Sequence, residues 1–214
     1  MPLTAADKEA IQSRVTALEQ ALGIEVVTVV AGKCDEYPET VWKAFAFGAV
    51  FTALFVVVAD VLRPDWVTSA LVFTSIVAVL AVGAACALAA VYVPAFARLF
   101  LRKSRASVEV AQYANDQFMA RELFATPGRN ALLVVVGMLE HCVVILPDKG
   151  LRDHVTTAEW DAVIARMTER LAAGATREAL IAGLDAVESL LRGKAFARGP
   201  ANLFADTPIV DGQP

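Results

Sequence analysis

The chain is short of the side chains on which catalysis and metal binding most often rest. It has 214 residues with only 3 cysteines and 2 histidines. Cys34, Cys86 and Cys142 are too few and too scattered for a disulfide framework, so they read as free thiols facing a reducing compartment. Cys34, His141, Cys142 and His154 match no structural zinc spacing, and alternation along a strand would send His141 and Cys142 to opposite faces. There is no G-x-S-x-G elbow, no P-loop and no glycine-rich dinucleotide turn. No activated nucleophile is visible. A net charge of -4 and a pI near 5.2 argue against a nucleic-acid partner, which would need clustered Lys and Arg. The N-terminus has no apolar core of the signal-peptide kind.

What the chain has in excess is apolar residues. Hydrophobic residues make up 57% of it and the mean hydropathy is +0.55, more than a soluble domain needs. The excess is concentrated. "AFAFGAVFTALFVVVA" (44–59) carries no charge, and neither does the stretch 67–97. Each can supply the roughly 20 apolar residues of a spanning helix. "RPDW" (63–66) lies between them as a tight turn, and Pro94 ends or kinks the second span. Small residues in "AVGAACALAA" (81–90) allow close helix approach. Lys43 precedes the first span, while Arg98, Arg102, Lys103 and Arg105 follow the second. Positive flanks stay inside, so both termini are expected in the cytoplasm.

"LLVVVGMLEHCVVILPD" (132–148) tests whether a third span exists. Glu140 and His141 sit at its middle, where a bilayer would penalise a charge. Its Val and Ile content and its two strand-length halves predict an antiparallel pair, with an exposed turn at Leu139-Glu140. Unbroken apolarity predicts that both strands are covered on both faces. "IEVVTVV" (24–30) predicts one more buried strand.

Helices complete the pattern. Thr4 and Asp7 have capping-box spacing, ahead of a stripe of Ile11, Val15, Leu18 and Leu22 that stops at Gly23. Residues 107–124 place Val110, Tyr113, Ala114, Phe118 and Phe124 on one face. Thr156 or Thr157 starts a helix with Trp160, Val163, Ile164, Met167 and Leu171, and a second repeats the design with Leu180, Ile181, Leu184, Val187 and Leu191. The expectation is an α/β fold, a mixed sheet of about three to four strands with amphipathic helices, interrupted by a two-helix transmembrane hairpin. The domain is discontinuous, 1–36 with 104–196; the hairpin is 42–99; residues 197–214 are an extended tail.

That order of elements resembles the TPM-domain family, in its bacterial membrane branch. The residues that carry the resemblance are "GIEVVTVVA", "TPGRNALLVVVGMLEHCVVILPDKGL", Trp160 with its helix, "GLDAVESLL" and the tail "NLFADTPIVD". The resemblance implies a compact α/β sandwich. It also implies weak acid phosphatase chemistry, or calcium binding through acidic loops, or an accessory role in assembling or maintaining membrane complexes.

Candidate site residues stand at predicted strand ends. Asp35 and Glu36 follow the first strand, and Asp148 follows the third. Strand-end carboxylates can gather around a hard cation, Ca2+ or Mg2+. They can equally be solvated loop acids, and no spaced calcium loop is present. Arg129 reads as a solvated turn residue or an anion contact. No cofactor is otherwise expected. The expected partners are membrane lipid, and a membrane protein or a second copy of this chain.

Overall fold

The structure, a computed structural model, describes residues 3–62, 68–194, 196, 204 and 206–211. The turn at 63–66 and most of 197–214 lie outside the described residues. The chain divides into two compact units, Met1–Asp35 with Ser104–Pro214, and Glu36–Lys103.

The first unit opens with α1, Ala5–Leu22. Its capping box forms with Asp in the usual Glu position: the Asp7 N–H donates to Thr4 Oγ1 at 3.2 Å, and the Thr4 N–H to Asp7 Oδ2 at 3.0 Å. Gly23 ends it at φ 71. The strands are β1 (Glu25–Ala31), β2 (Ala131–Gly137), β3 (Cys142–Pro147) and β4 (Ile209–Asp211), in the order β3-β2-β1-β4. β1 runs parallel to both β2 and β4, and β3 returns antiparallel to β2. The predicted pair is therefore present, beside the predicted first strand. The tail is not merely extended: its residues 209–211 are the fourth strand, a part too short and too polar in pattern to be read as one.

Helices cover both faces of the sheet. On one face Val26, Val30, Leu132, Val134 and Val136 meet α1, α7 (Thr157–Ala172) and α8 (Thr176–Leu191). Trp160, Val163, Met167 and Leu171 are buried on α7; Leu180, Leu184, Val187 and Leu191 on α8. Ile164 and Ile181 are only partly buried against this core. Thr156, not Thr157, is the N-cap of α7, and its capping box with Glu159 is complete. Thr156→Ala is expected to cost about 1 kcal/mol in a urea titration, the usual effect of losing such a cap. On the other face Val27, Val29, Leu133 and Val135 lie under Val110, Ala114 and Phe118 of α5, Lys103–Ala120.

The one-helix face explains a departure from expectation. β2 is buried along its whole length, but β3 alternates between half-buried and buried residues. A helix about 10 Å wide covers roughly two strands spaced near 4.8 Å. The edge strand therefore leaves Cys142, Val144 and Leu146 partly open on that face.

The second unit holds α2 (Pro38–Leu62), α3 (Ser69–Tyr92) and the short α4 (Pro94–Ala97), which Pro94 opens after the break at Val93. α2 and α3 are long and apolar enough to cross a membrane, with mean hydropathies of 2.4 and 2.5 over their best windows. Only 6% of each window is buried, so these are not core helices of a soluble domain. They pack closely where side chains are small: a Cβ on Gly48 would stand 2.7 Å from Cys86 Sγ, and one on Gly83 would stand 2.9 Å from the Phe45 ring. Phe47, Leu54, Phe55, Ile76 and Leu80 point outward.

Candidate functional site

Of the acids expected at strand ends, Asp148 is not brought to Asp35. Asp35 follows the C-terminal end of β1. Asp148 follows β3, and β3 runs the other way: Pro147 pairs with Leu132 at the beginning of β2, and the Asp148 N–H donates to the Ala131 carbonyl at 2.9 Å. Asp148 thus sits at the opposite end of the sheet from Asp35. Glu36 opens the other compact unit. Grouping Asp148 with Asp35 overlooked the antiparallel return that the sequence itself predicted, which carries the end of β3 to the other end of the sheet.

At the Asp148 end the geometry is tightly specified. The loop before β2 turns through Gly128 (φ 75) and Arg129 (φ 57). This brings Arg129 Nε to 2.7 Å from Asp148 Oδ2, and Arg129 Nη2 to 2.7 Å from Oδ1. The Asp148 side chain is 3% exposed, and it also accepts the Lys149 N–H at 2.7 Å. Burial alone would push the Asp148 carboxyl up, but the Arg129 fork and the Lys149 N–H outweigh it and hold the carboxyl below its ordinary range. The anion that Arg129 contacts is this carboxylate, a pairing between turns that flank the strand pair. Gly150 packs directly on the loop: a Cβ there would fall 2.3 Å from Asn130 Oδ1 and 2.4 Å from the Gly128 carbonyl.

At the other end Asp35 accepts from Arg105 Nη2 at 3.2 Å, and Arg105 also reaches Glu109 at 3.2 Å. Beside them the β2–β3 turn folds back instead of standing exposed. Glu140 Oε1 accepts the Cys34 N–H at 2.8 Å, and residues 138–141 are half-buried. A Cβ on Gly137 would meet Glu140 Oε2 at 2.6 Å and Cys34 Sγ at 3.3 Å, so the absence of a side chain there lets the turn pack closely. Burial, with the Glu140 charge next, pushes the Cys34 thiol up, and burial does the same to Cys142. Thiols held protonated are poor nucleophiles and poor ligands. His141 closes the turn at φ 48.

Sequence reasoning missed three residues here. Tyr113 Oη donates to Asp211 Oδ2 at 2.6 Å, and Gln117 Nε2 approaches the same oxygen at 3.5 Å. Burial first, and then the Asp211 carboxylate, raise the Tyr113 phenol. The signal available was the polar tip of Tyr113 and, four residues on, Gln117 beside the apolar stripe of α5. Among the described residues no group of three or more His, Cys, Asp or Glu side chains is placed to hold a metal ion.

Three comparisons bear on this arrangement. Among curated proteins no match was found. The BA42 protein of the psychrophilic bacterium Bizionia argentinensis, solved by NMR, is similar in structure, with a TM-score of 0.56 at 15% identity. The similarity covers 98% of this chain and 96% of that one, and it is a likeness of fold. The family model of the TPM domain matches residues 85–190, which takes in β2, β3, α6 (Lys149–Arg152) and α7 and leaves β1 and β4 outside. On that match, and with a mixed four-stranded sheet between helices, the chain carries a TPM domain, joined to two helices long and apolar enough to cross a membrane.

Proposed function

We propose that this chain is a membrane-anchored interaction module that serves the assembly or maintenance of a membrane protein complex. The observation that carries the reading is the place of the apolar helices in the chain. They enter between Asp35 and Ser104, inside one folding unit, so the TPM domain has two covalent connections to its hairpin. A single flexible linker lets a domain roam, whereas two short ones restrict its orientation. A restricted orientation suits docking to a neighbouring membrane protein or to a second copy, and does little for an enzyme that meets a diffusing solute. The acids that a phosphatase or cation site would recruit are engaged as well, Asp148 with Arg129 and Asp35 with Arg105. The hairpin is placed in the bacterial inner membrane with both termini in the cytoplasm, on the strength of the Arg and Lys residues that follow α3.

The test uses the full-length chain. A cysteine introduced at Lys149 should resist an impermeant maleimide added outside intact cells, and one introduced in the turn 63–66 should react. The protein extracted in mild detergent should run as a defined complex larger than the monomer. A lone monomer in every mild detergent would replace this reading with the enzymatic one, if it came with hydrolysis of p-nitrophenyl phosphate that Asp35→Asn or Asp148→Asn abolishes.

A further inference from the structure

Strand β4 is only three residues long and, among the described residues, is paired on one side alone, so contacts besides its ladder help to hold it. The outer edge of β1 shows what does. Glu19, on the last turn of α1, accepts the Val26 N–H through Oε1 at 2.7 Å. That N–H belongs to the edge that β4 uses further along, where the Gly32 N–H donates to the Asp211 carbonyl at 2.9 Å. Asp206, three residues before β4, is 9% exposed and accepts the Thr16 hydroxyl through Oδ2. Its other oxygen, Oδ1, is buried and has no donor among the described residues. Glu19, a second carboxyl, interacts with the Asp206 side chain, with Glu25 of β1 adding a further negative charge.

Two facing carboxylates cannot bond each other without a proton between them, and a buried acceptor left without a donor is destabilising. We propose that the protonated Glu19 carboxyl, donating to Asp206, is the latch that docks residues 206–211 against α1 and holds β4 on the sheet, and that loss of the Glu19 proton frees those residues and opens the β1 edge at Val29–Ala31.

Burial of Glu19, the largest influence, together with the charges of Asp206 and Glu25, outweighs the Val26 N–H and raises its carboxyl from 4.5 to about 8. The sign follows. A carboxyl raised in the docked state holds its proton there and gives it up when released. Between pH 4.5 and about 8 the docked form carries one more proton than the released form, so docking weakens as pH rises through that window and levels off above it. One proton corresponds to a tenfold change in the docking equilibrium for each pH unit. A cell near neutral pH sits on the steep part.

The Gly32 amide reports docking directly, and the Met138 amide, which donates to the Ala31 carbonyl at 2.9 Å, reports the β1–β2 side of the same strand. Amide hydrogen exchange, followed by NMR on the full chain in detergent micelles, should show the Gly32 protection factor falling by up to tenfold per pH unit from about pH 5 to 8. Met138 should hold its protection. Glu19→Gln supplies a permanent donor and should make Gly32 protection independent of pH. Asp206→Asn should do the same from the other side, which keeps the test open if the first variant folds poorly. A pH-independent wild type, or the wild-type slope retained in both variants, overturns the latch.

Discussion

Val135→Asp is expected to leave no cooperatively folded TPM domain, while Val144→Asp, directly across the strand pair, leaves a domain that still melts as a unit. The two residues are register partners in β2 and β3 and lie on the same sheet face. They differ in cover. Val135 is 0% exposed beneath α5, with β1 on one side and β3 on the other. A carboxylate there has neither water nor a counter-charge, and an unpaired buried charge costs several kcal/mol out of a typical total of about 5–15. Val144 is half-buried on the edge strand, where an aspartate can turn to solvent. Its cost should be about 1–2 kcal/mol, a lost apolar contact and no more. Far-ultraviolet circular dichroism during urea unfolding in nanodiscs distinguishes the two. Equal transitions would mean that α5 does not cover the sheet as described.

Gly150→Ala should be the second most damaging change, though it adds one methyl group. Three atoms stand in its way: Asn130 Oδ1 at 2.3 Å, the Gly128 carbonyl at 2.4 Å and the Arg129 carbonyl at 2.7 Å. Two of them are backbone in a turn already committed to positive φ at Gly128 and Arg129, so the loop must move as a piece. Overpacking typically costs 1–3 kcal/mol, and the upper end is expected here. The displaced loop would also carry Arg129 away from Asp148. That loss has a signature of its own. The Asp148 carboxyl is depressed in the folded state, so its pairing contributes stability above its unfolded pKa near 3.8 and loses that contribution as pH falls through the folded value. Denaturant midpoints measured from pH 6 to pH 2 should fall less steeply in Gly150→Ala and in Asp148→Asn than in the wild type. An acid limb of unchanged slope in both would show that the Arg129–Asp148 pair carries no stability.

Those contacts mark where the sequence could and could not be read. Periodicity placed α7 and α8 because an apolar residue every three or four positions has one solution against a sheet. The Val-rich runs gave β1, β2 and β3 for the same reason. Register and direction were another matter. Asp148 and Arg129 stand nineteen positions apart; the antiparallel return brings their turns to one end, but nothing local says that the Arg129 side chain folds onto the Asp148 carboxylate. "IVD" has no pattern that marks a strand, because its pairing is supplied by β1. Glu19 belongs to the polar side of an amphipathic helix by spacing, and only the fold shows that the C-terminal segment covers it.

The interruption of the sheet domain has a further consequence, in time. β1 is made early, and both of its sheet neighbours are made late. Its partner β2 begins at Ala131, roughly a hundred residues beyond Glu25, and β4 comes within the last few residues of the chain. At synthesis rates of about 5–20 residues per second, β1 waits several seconds for the first of them. During that wait α2 and α3 emerge complete. In the membrane-anchored reading proposed above, insertion precedes closure of the sheet, and the TPM domain folds as a chain already fixed at two points. Fixing those points beforehand shortens the loop that must close when β2 meets β1. In that reading the hairpin lowers the entropic barrier to pairing β2 with β1, and a chain whose helices are kept out of lipid should refold far more slowly than one whose helices are already in it.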